Sequence, residues 1–458
     1  MIFPPGRPIL VLLIFAIAGG AALLTLQPTR CPSDQVLWVF DPSHADTYQL
    51  PSGPQPALTT LYRTQTGRPV SIRMMASRAL DARLLSLILS NTTGPQVPDL
   101  VEIEIGSVGK YFRASPEHSG LLPLDDFVRS DPATAQLLPA RLATWTSGGH
   151  LLGIPRDVHP VSITYRKDLF DAANVDLPAC KNWNQFQDAC LRFQQYWQHH
   201  GTPRRAMQLA RWNASDLMIM LYQQRINLID SSGTLQLADP RVAKTLAFYA
   251  TLVTGARSIA APASANADLA IRDLADGHSA AMLTPDWQIA SLRSAAPDLA
   301  GKLRMMPLPR FSPTDAPTAS WGGTMVAIPR NCRDPQASWQ LLHALQLSPE
   351  AAKARLAHSS ILPAIQSAWA DPAYDAPDPF FAGQPVGRLY TQLAAQLPAQ
   401  YISPYSLLLS QTLSAVLSQA QRDLESNARD PLEPRIQDQL NAAQTKLARV
   451  LQFAQDKP

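Results

Sequence analysis

Arg156, Asp157 and His159 stand within one short stretch, set between Pro155 and Pro160. A guanidinium, a carboxylate and an imidazole so close together can make charge-assisted hydrogen bonds to hydroxyl groups. Elsewhere Asp41 and Glu104 offer further carboxylates, while Trp212, Trp287, Trp321, Tyr401 and Tyr405 offer rings able to pack on the C–H faces of pyranoses. Such a set suits reversible binding of a polyhydroxylated solute. The common catalytic and nucleotide-binding signatures are missing: the chain has no G-x-S-x-G, H-E-x-x-H, P-loop or G-x-G-x-x-G motif. His44, His159 and His278 stand isolated, as hydrogen-bonding residues rather than general bases. A glycan-cleaving enzyme stays open as an alternative, because the separation of unpaired carboxylates cannot be read from sequence. No Cys/His spacing suggests zinc, and neither metal nor cofactor is expected.

The elements that must hold these groups follow from residue periodicity. Residues 35–40, 70–75 and 100–105 read as strands, separated by a helical patch over 56–66 and an amphipathic helix over 79–90. This alternation argues for an α/β fold with a parallel sheet, whose ligands sit beyond the carboxyl ends of the strands. Asp41, Glu104 and Ser107 thereby become pocket-edge candidates, whereas a solvated strand face suits Glu102 better. Residues 161–165 form a strand entered through proline and charged residues instead of a Gly or Asn turn. That entry reads as a chain leaving one lobe for another, a place where ligand sites are preferred.

Beyond the crossing, helices are expected over 183–197, over 215–224 and from Asp239-Pro240, where Val242, Leu246, Tyr249 and Val253 share one face. A strand of small residues after Gly277 runs into a turn at Pro285 that carries Trp287, a position favouring exposure over core burial. Pro-rich turns on either side of 320–329 read as a second crossing. There Gly322 and Gly323 allow close approach of the backbone, to a ligand hydroxyl or to the other lobe. Tyr401 and Tyr405 lie in a loop before a helix over 407–426, and a last amphipathic helix carries Leu432, Ile436, Leu440, Leu447 and Leu451.

At 458 residues the chain is too long for one ordinary core, so two lobes are expected. Its 46% apolar and 16% charged residues are a globular composition. A net charge of +3 with no basic run argues against a nucleic-acid partner. Residues 9–26 are uncharged and apolar after Arg7, so residues 1–30 read as a signal peptide or an N-terminal membrane anchor. Either exports the remainder to the periplasm, tethered to the inner membrane if the leader is retained. Export permits disulfides, and a Cys180–Cys190 bridge is possible.

Several stretches carry a family resemblance: GIPRDVHPVSITYRKDLFDAANVDLP with the following NWNQF, PDLVEIEIGSVGKYF, DPRVAKTLAFYATLV, DGHSAAMLTPDW and WGGTMVAIP. Together they are similar to the bacterial extracellular solute-binding proteins of family 1, which resemble maltose-binding protein and feed sugar ABC transporters. The resemblance implies an α/β, two-lobed periplasmic-binding-protein-like fold of type II, with discontinuous domains and a ligand cleft between lobes. Lobe one would take residues 33–155 plus 314–375, and lobe two 158–310 plus 380–455. The implied role is a monomeric substrate-binding component that presents a carbohydrate to ABC transporter permease subunits, with Trp287 facing the cleft. A ligand-sensing subunit of a signalling system is the other non-enzymatic alternative. Where maltose-type relatives place an aromatic after the Pro-Asp strand, this chain has Ile103 or Glu104, so the ligand need not be a malto-oligosaccharide.

Overall fold

The computed structural model describes residues 34–113, 115, 118–262, 267–426 and 431–455. The expected leader, residues 1–30, lies outside the described residues, as does Cys31. In chain order the elements that matter are β1 (Gln35–Val39), α1 (Pro42–Gln49), β2 (Val70–Met74), α2 (Ser77–Leu89), β3 (Leu100–Glu104) and β4 (Ile154–Pro155). They continue with β5 (Val161–Arg166), α3 (Trp183–His199), α4 (Pro240–Val253), β6 (Ala281–Pro285), β7 (Leu303–Met306) and β8 (Thr324–Ala327). Helices α5 (Pro349–His358), α6 (Ser406–Glu425) and α7 (Leu432–Gln455) follow.

The strands form two main sheets. One is five-stranded in the order β2-β1-β3-β8-β4, the other three-stranded in the order β6-β5-β7. In the first, β1 runs parallel to both β2 and β3, while β8 is antiparallel to β3 and β4. In the second, β5 pairs antiparallel with β6 and β7. The α/β expectation holds, although the returning strand β8 makes the first sheet mixed.

Local sequence accounts for the helices. Asn182 caps α3 by accepting the Gln185 N–H, and the apolar spacing then buries Trp183, Phe186, Cys190 and Phe193; such a cap contributes ~1 kcal/mol. Helix α4 opens on Asp239 as cap and Pro240 in its first turn, and buries Val242, Leu246, Tyr249 and Val253 as their spacing predicts.

Each sheet has its own core. The first is drawn from residues 36–158 and 325–374, with Ala394 and Leu397 added from later in the chain. The second is drawn from 161–319 and 409–447, and a satellite core joins 271–305 to 380–393. The chain passes from the first body to the second between Val158 and Val161. It returns between Ala319 and Met325, within the expected crossing but later than the lobe boundary at residue 314. Thr318 Oγ1 donates to Val161 O and accepts its N–H, both at 2.9 Å, so residues up to Ala319 pack with the second body. Cys180, Cys190 and Cys332 are free thiols.

Candidate ligand-binding cleft

Because β1, β2 and β3 are parallel, their carboxyl ends share one edge of the first body. Asp41 follows β1 and caps α1, accepting the Ser43 N–H at 2.8 Å and the Ser43 hydroxyl at 2.6 Å. Burial alone would raise its pKa, but the Ser43 hydrogen bonds and the nearby His44 hold it below the usual carboxylate value. Glu104 ends β3, exposed, and accepts the Ser77 hydroxyl at 2.8 Å. Ser107 is half-buried in the short helix Ile105–Val108. The Gly109 backbone lies so close to Ser403 O that an added Cβ would sit 2.9 Å away. That approach brings the loop of half-buried Tyr401 and Tyr405 to the same edge.

The second body contributes Trp287, just past β6. Its indole N–H donates to Trp321 O at 3.0 Å, and the two rings meet edge-on with centroids 6.3 Å apart. Gly322, at φ 104°, runs against Trp287 Nε1 and the His159 ring. Gly323 O accepts the Ile105 N–H at 2.9 Å, which ties this return crossing to the end of β3. A cavity of about 300 Å³ opens between the bodies, lined by Ser43 and residues 356–361 on one side and by Trp287 and Ala290 on the other. A second hollow, of about 390 Å³, is lined by residues 347–374 of the first body alone.

Arg156, Asp157 and His159 do not line this space. All three are buried, and the first two are inaccessible to solvent. Arg156 pairs with Glu102 at 3.4 Å and lies beside Tyr48. Asp157 accepts the Thr324 N–H at 3.0 Å and faces Arg141 at 3.5 Å. The His159 ring sits between Asp157 and Asp286, with N–O distances of 3.2 and 2.6 Å. Burial would drive the proton off this imidazole, but the two carboxylates outweigh burial and raise its pKa to about 9. In the same way Asp157, which burial would push up, is held far below the usual carboxylate range by His159 and Arg141. These groups hold the crossing together from inside. Glu102, expected on a solvated strand face, is also wholly buried, because β3 lies between β1 and β8 and α1 covers it.

Trp212 stands apart. It is 71% exposed between Leu209 and the helix Ser215–Gln223, with the Arg211 guanidinium 5.0 Å from its ring centroid. The structure therefore sets Asp41, Glu104 and Ser107 at the strand ends of the first body, brings the 401–405 loop against Gly109, and joins Trp287 to Trp321 and Gly322, while Trp212 lies on the second body. Sequence reasoning missed Arg141, Asp286 and the exposed apolar side chains Met74 and Leu407. The signal for Arg141 was present: it is the lone charge in LLPARLATW. Met74 at the end of β2 and Leu407 at the start of α6 are 57% and 72% exposed.

The model of the bacterial extracellular solute-binding protein family matches residues 57–382. The chain belongs to this family. Among characterised relatives of this solute-binding protein, an arabinooligosaccharide-binding protein of Halalkalibacterium halodurans is 22% identical over 378 residues, covering 82% of this chain and 81% of the relative. Among solved structures, the sugar-binding protein MalE of Xanthomonas citri superposes with a TM-score of 0.71 at 17% identity, covering 93% of this chain and all of that one. The cyclic α-maltosyl-1,6-maltose-binding protein of Arthrobacter globiformis gives 0.69 at 16% identity, covering 92% and 99%. The fold is accordingly the two-lobed type II periplasmic-binding-protein fold, with the space between the two cores as its cleft.

Proposed function

We propose that this solute-binding protein captures an oligosaccharide between its two bodies outside the cytoplasmic membrane and delivers it to the permease subunits of an ABC transporter. The observation that carries this reading is the cavity shared by Ser43 on one body and Trp287 on the other. A sugar seated there would have an indole on one side and hydroxyl and carboxylate acceptors on the other, and closure would strip its water, as hinged binding proteins do. Asp41, Glu104 and Ser107 would take hydroxyls, while Trp287, Trp321 and the tyrosines of the 401–405 loop would take ring faces. Trp212 would reach only an extended ligand. The arabinooligosaccharide-binding relative favours an oligosaccharide over a monosaccharide.

The test is thermal denaturation against arabinotriose, maltotriose and a set of other oligosaccharides, followed by calorimetry on any sugar that shifts the transition. Ligand at a hundredfold its Kd adds about 2.7 kcal/mol to native-state stability, a shift easily seen. Trp287→Ala should then weaken binding by about 1–3 kcal/mol. No shift with any sugar would overturn the reading, and release of shorter products would replace it with a glycan-cleaving one.

A further inference from the structure

His159 occupies left-handed backbone space, at φ 55°, as few non-glycine residues do. That conformation costs ~1–2 kcal/mol, and here it aims a nearly buried ring at two carboxylates of different origin. Asp157 belongs to the crossing strand and is held on the first body by the Thr324 N–H and Arg141. Asp286 follows β6 of the second body, yet its other oxygen accepts the N–H of Leu362, from the first core, at 2.7 Å.

The backbone closes the circuit. The Trp321 backbone N–H donates to His159 O at 3.0 Å, the Trp287 indole N–H donates to Trp321 O at 3.0 Å, and Trp287 is the residue after Asp286. A loop of contacts thus runs from the His159 ring through Asp286, Trp287 and Trp321 back to the His159 carbonyl. It includes both crossings and the first indole of the cleft.

We propose that His159, as a cation between Asp157 and Asp286, is the positioning residue that sets the closure angle of the two bodies and fixes Trp287 and Trp321 at the cleft. It touches no ligand. Its effect on sugar affinity rests on the function proposed above, whereas its effect on the angle between bodies does not. The charged groups facing the ring are Asp157 and Asp286, with Arg141 against Asp157; Arg156, Arg355, Tyr374 and Tyr390 stand behind these carboxylates.

The test uses small-angle scattering of the ligand-free protein from pH 6 to 10, with His159→Gln and Asp286→Asn beside the wild type. Asp286→Asn keeps an acceptor for the Leu362 N–H while removing the charge. Wild type should give a narrow distance distribution at pH 6–7 that broadens above pH 9. His159→Gln should be broad at every pH, and Asp286→Asn should broaden at a lower pH than wild type. Superimposable profiles for wild type and folded His159→Gln across the range would overturn the proposal. If neither variant folds, a wild-type profile unchanged from pH 6 to 10 overturns it equally. With arabinotriose as probe, His159→Gln should bind about tenfold more weakly, the scale of one lost charged hydrogen bond. Arabinotriose that binds no variant and not the wild type counts against the sugar reading alone, because the scattering still decides the role of His159.

Discussion

Glu102 Oε2 lies 2.7 Å from His44 Nδ1, while its Oε1 accepts the Tyr48 hydroxyl at 2.9 Å and lies 3.4 Å from Arg156 Nε. All four groups are buried, so a strand that alternates toward solvent by pattern has a sealed ionic centre at its middle. Burial would raise the Glu102 pKa, and His44 and Arg156 bring it below the ordinary value instead.

Removing one member of such a centre strands the others. Glu102→Ala should cost about 3–5 kcal/mol, because Arg156 would be left buried and unpaired. Glu104→Ala, two residues away and exposed, should change stability by less than about 0.5 kcal/mol. Urea unfolding of the two variants side by side checks this, and a loss below about 0.5 kcal/mol for Glu102→Ala would show that the Glu102 centre adds nothing to the fold.

Gly323 should be irreplaceable. Its φ of 141° is one that L side chains rarely adopt, and an added Cβ would fall on Arg141 Nη2. Arg141 is itself buried, donating to Asp157 O at 3.1 Å and to Ser320 Oγ at 2.8 Å. Gly323→Ala should therefore destabilise by roughly 2–4 kcal/mol through backbone strain and displacement of the guanidinium. Gly233→Ala, at φ 83° with open space around it, should show the backbone cost alone. Equal midpoints for the two variants in urea would exclude the steric contribution of Arg141.

Much of this architecture was legible in the sequence because it depends on local repeat. The face of α4, the strand after Pro160 and the turn carrying Trp287 all follow from period and punctuation. The interior polar groups were not, because their partners are far away in sequence. Glu102 meets His44 and Tyr48, 58 and 54 residues distant, and His159 meets Asp286 at a separation of 127. From LVEIE alone, Glu102 and Glu104 are equivalent; only the covering by α1 and β8 separates a buried ion pair from an exposed strand-end carboxylate. Arg156 and Asp157 were placed at the right crossing, yet a sequence cannot say which way a charged side chain turns at a junction. Thr318 shows the same limit: its bonds to Val161, 157 residues away, decide which body the Pro-rich segment joins.

Stability should fall with alkali through His159. Its pKa rises from 6.5 to about 9 on folding, so the native state holds a proton that the unfolded chain releases between those values. The contribution is complete below about pH 6.5 and is lost as pH passes 9, on the order of 3 kcal/mol for a shift of this size. Thermal midpoints from pH 6 to 9.5 check it. His159→Gln should begin lower and lose this slope, and a wild-type midpoint flat over the range would remove His159 from the stability of the crossing.

Asp216 should act in the acid range and with the opposite response to substitution. Its carboxylate is buried and accepts the Ala210 N–H at 2.7 Å, bracing the loop that carries Arg211 and Trp212. Burial raises its pKa from 3.8 to about 6, against the smaller pull of the Ala210 and Ser215 hydrogen bonds. The native state therefore binds the extra proton between pH 3.8 and 6, and stability declines as pH rises through that window, by roughly 3 kcal/mol once the group is ionised. Asp216→Asn keeps an acceptor for Ala210 without the buried charge. It should raise the midpoint at pH 7–8 and flatten the response between pH 4 and 6. A lower midpoint for Asp216→Asn at pH 7 would mean that the loop beside Trp212 needs the charge itself, and that Asp216 is ionised in the native state by a partner stronger than a backbone N–H.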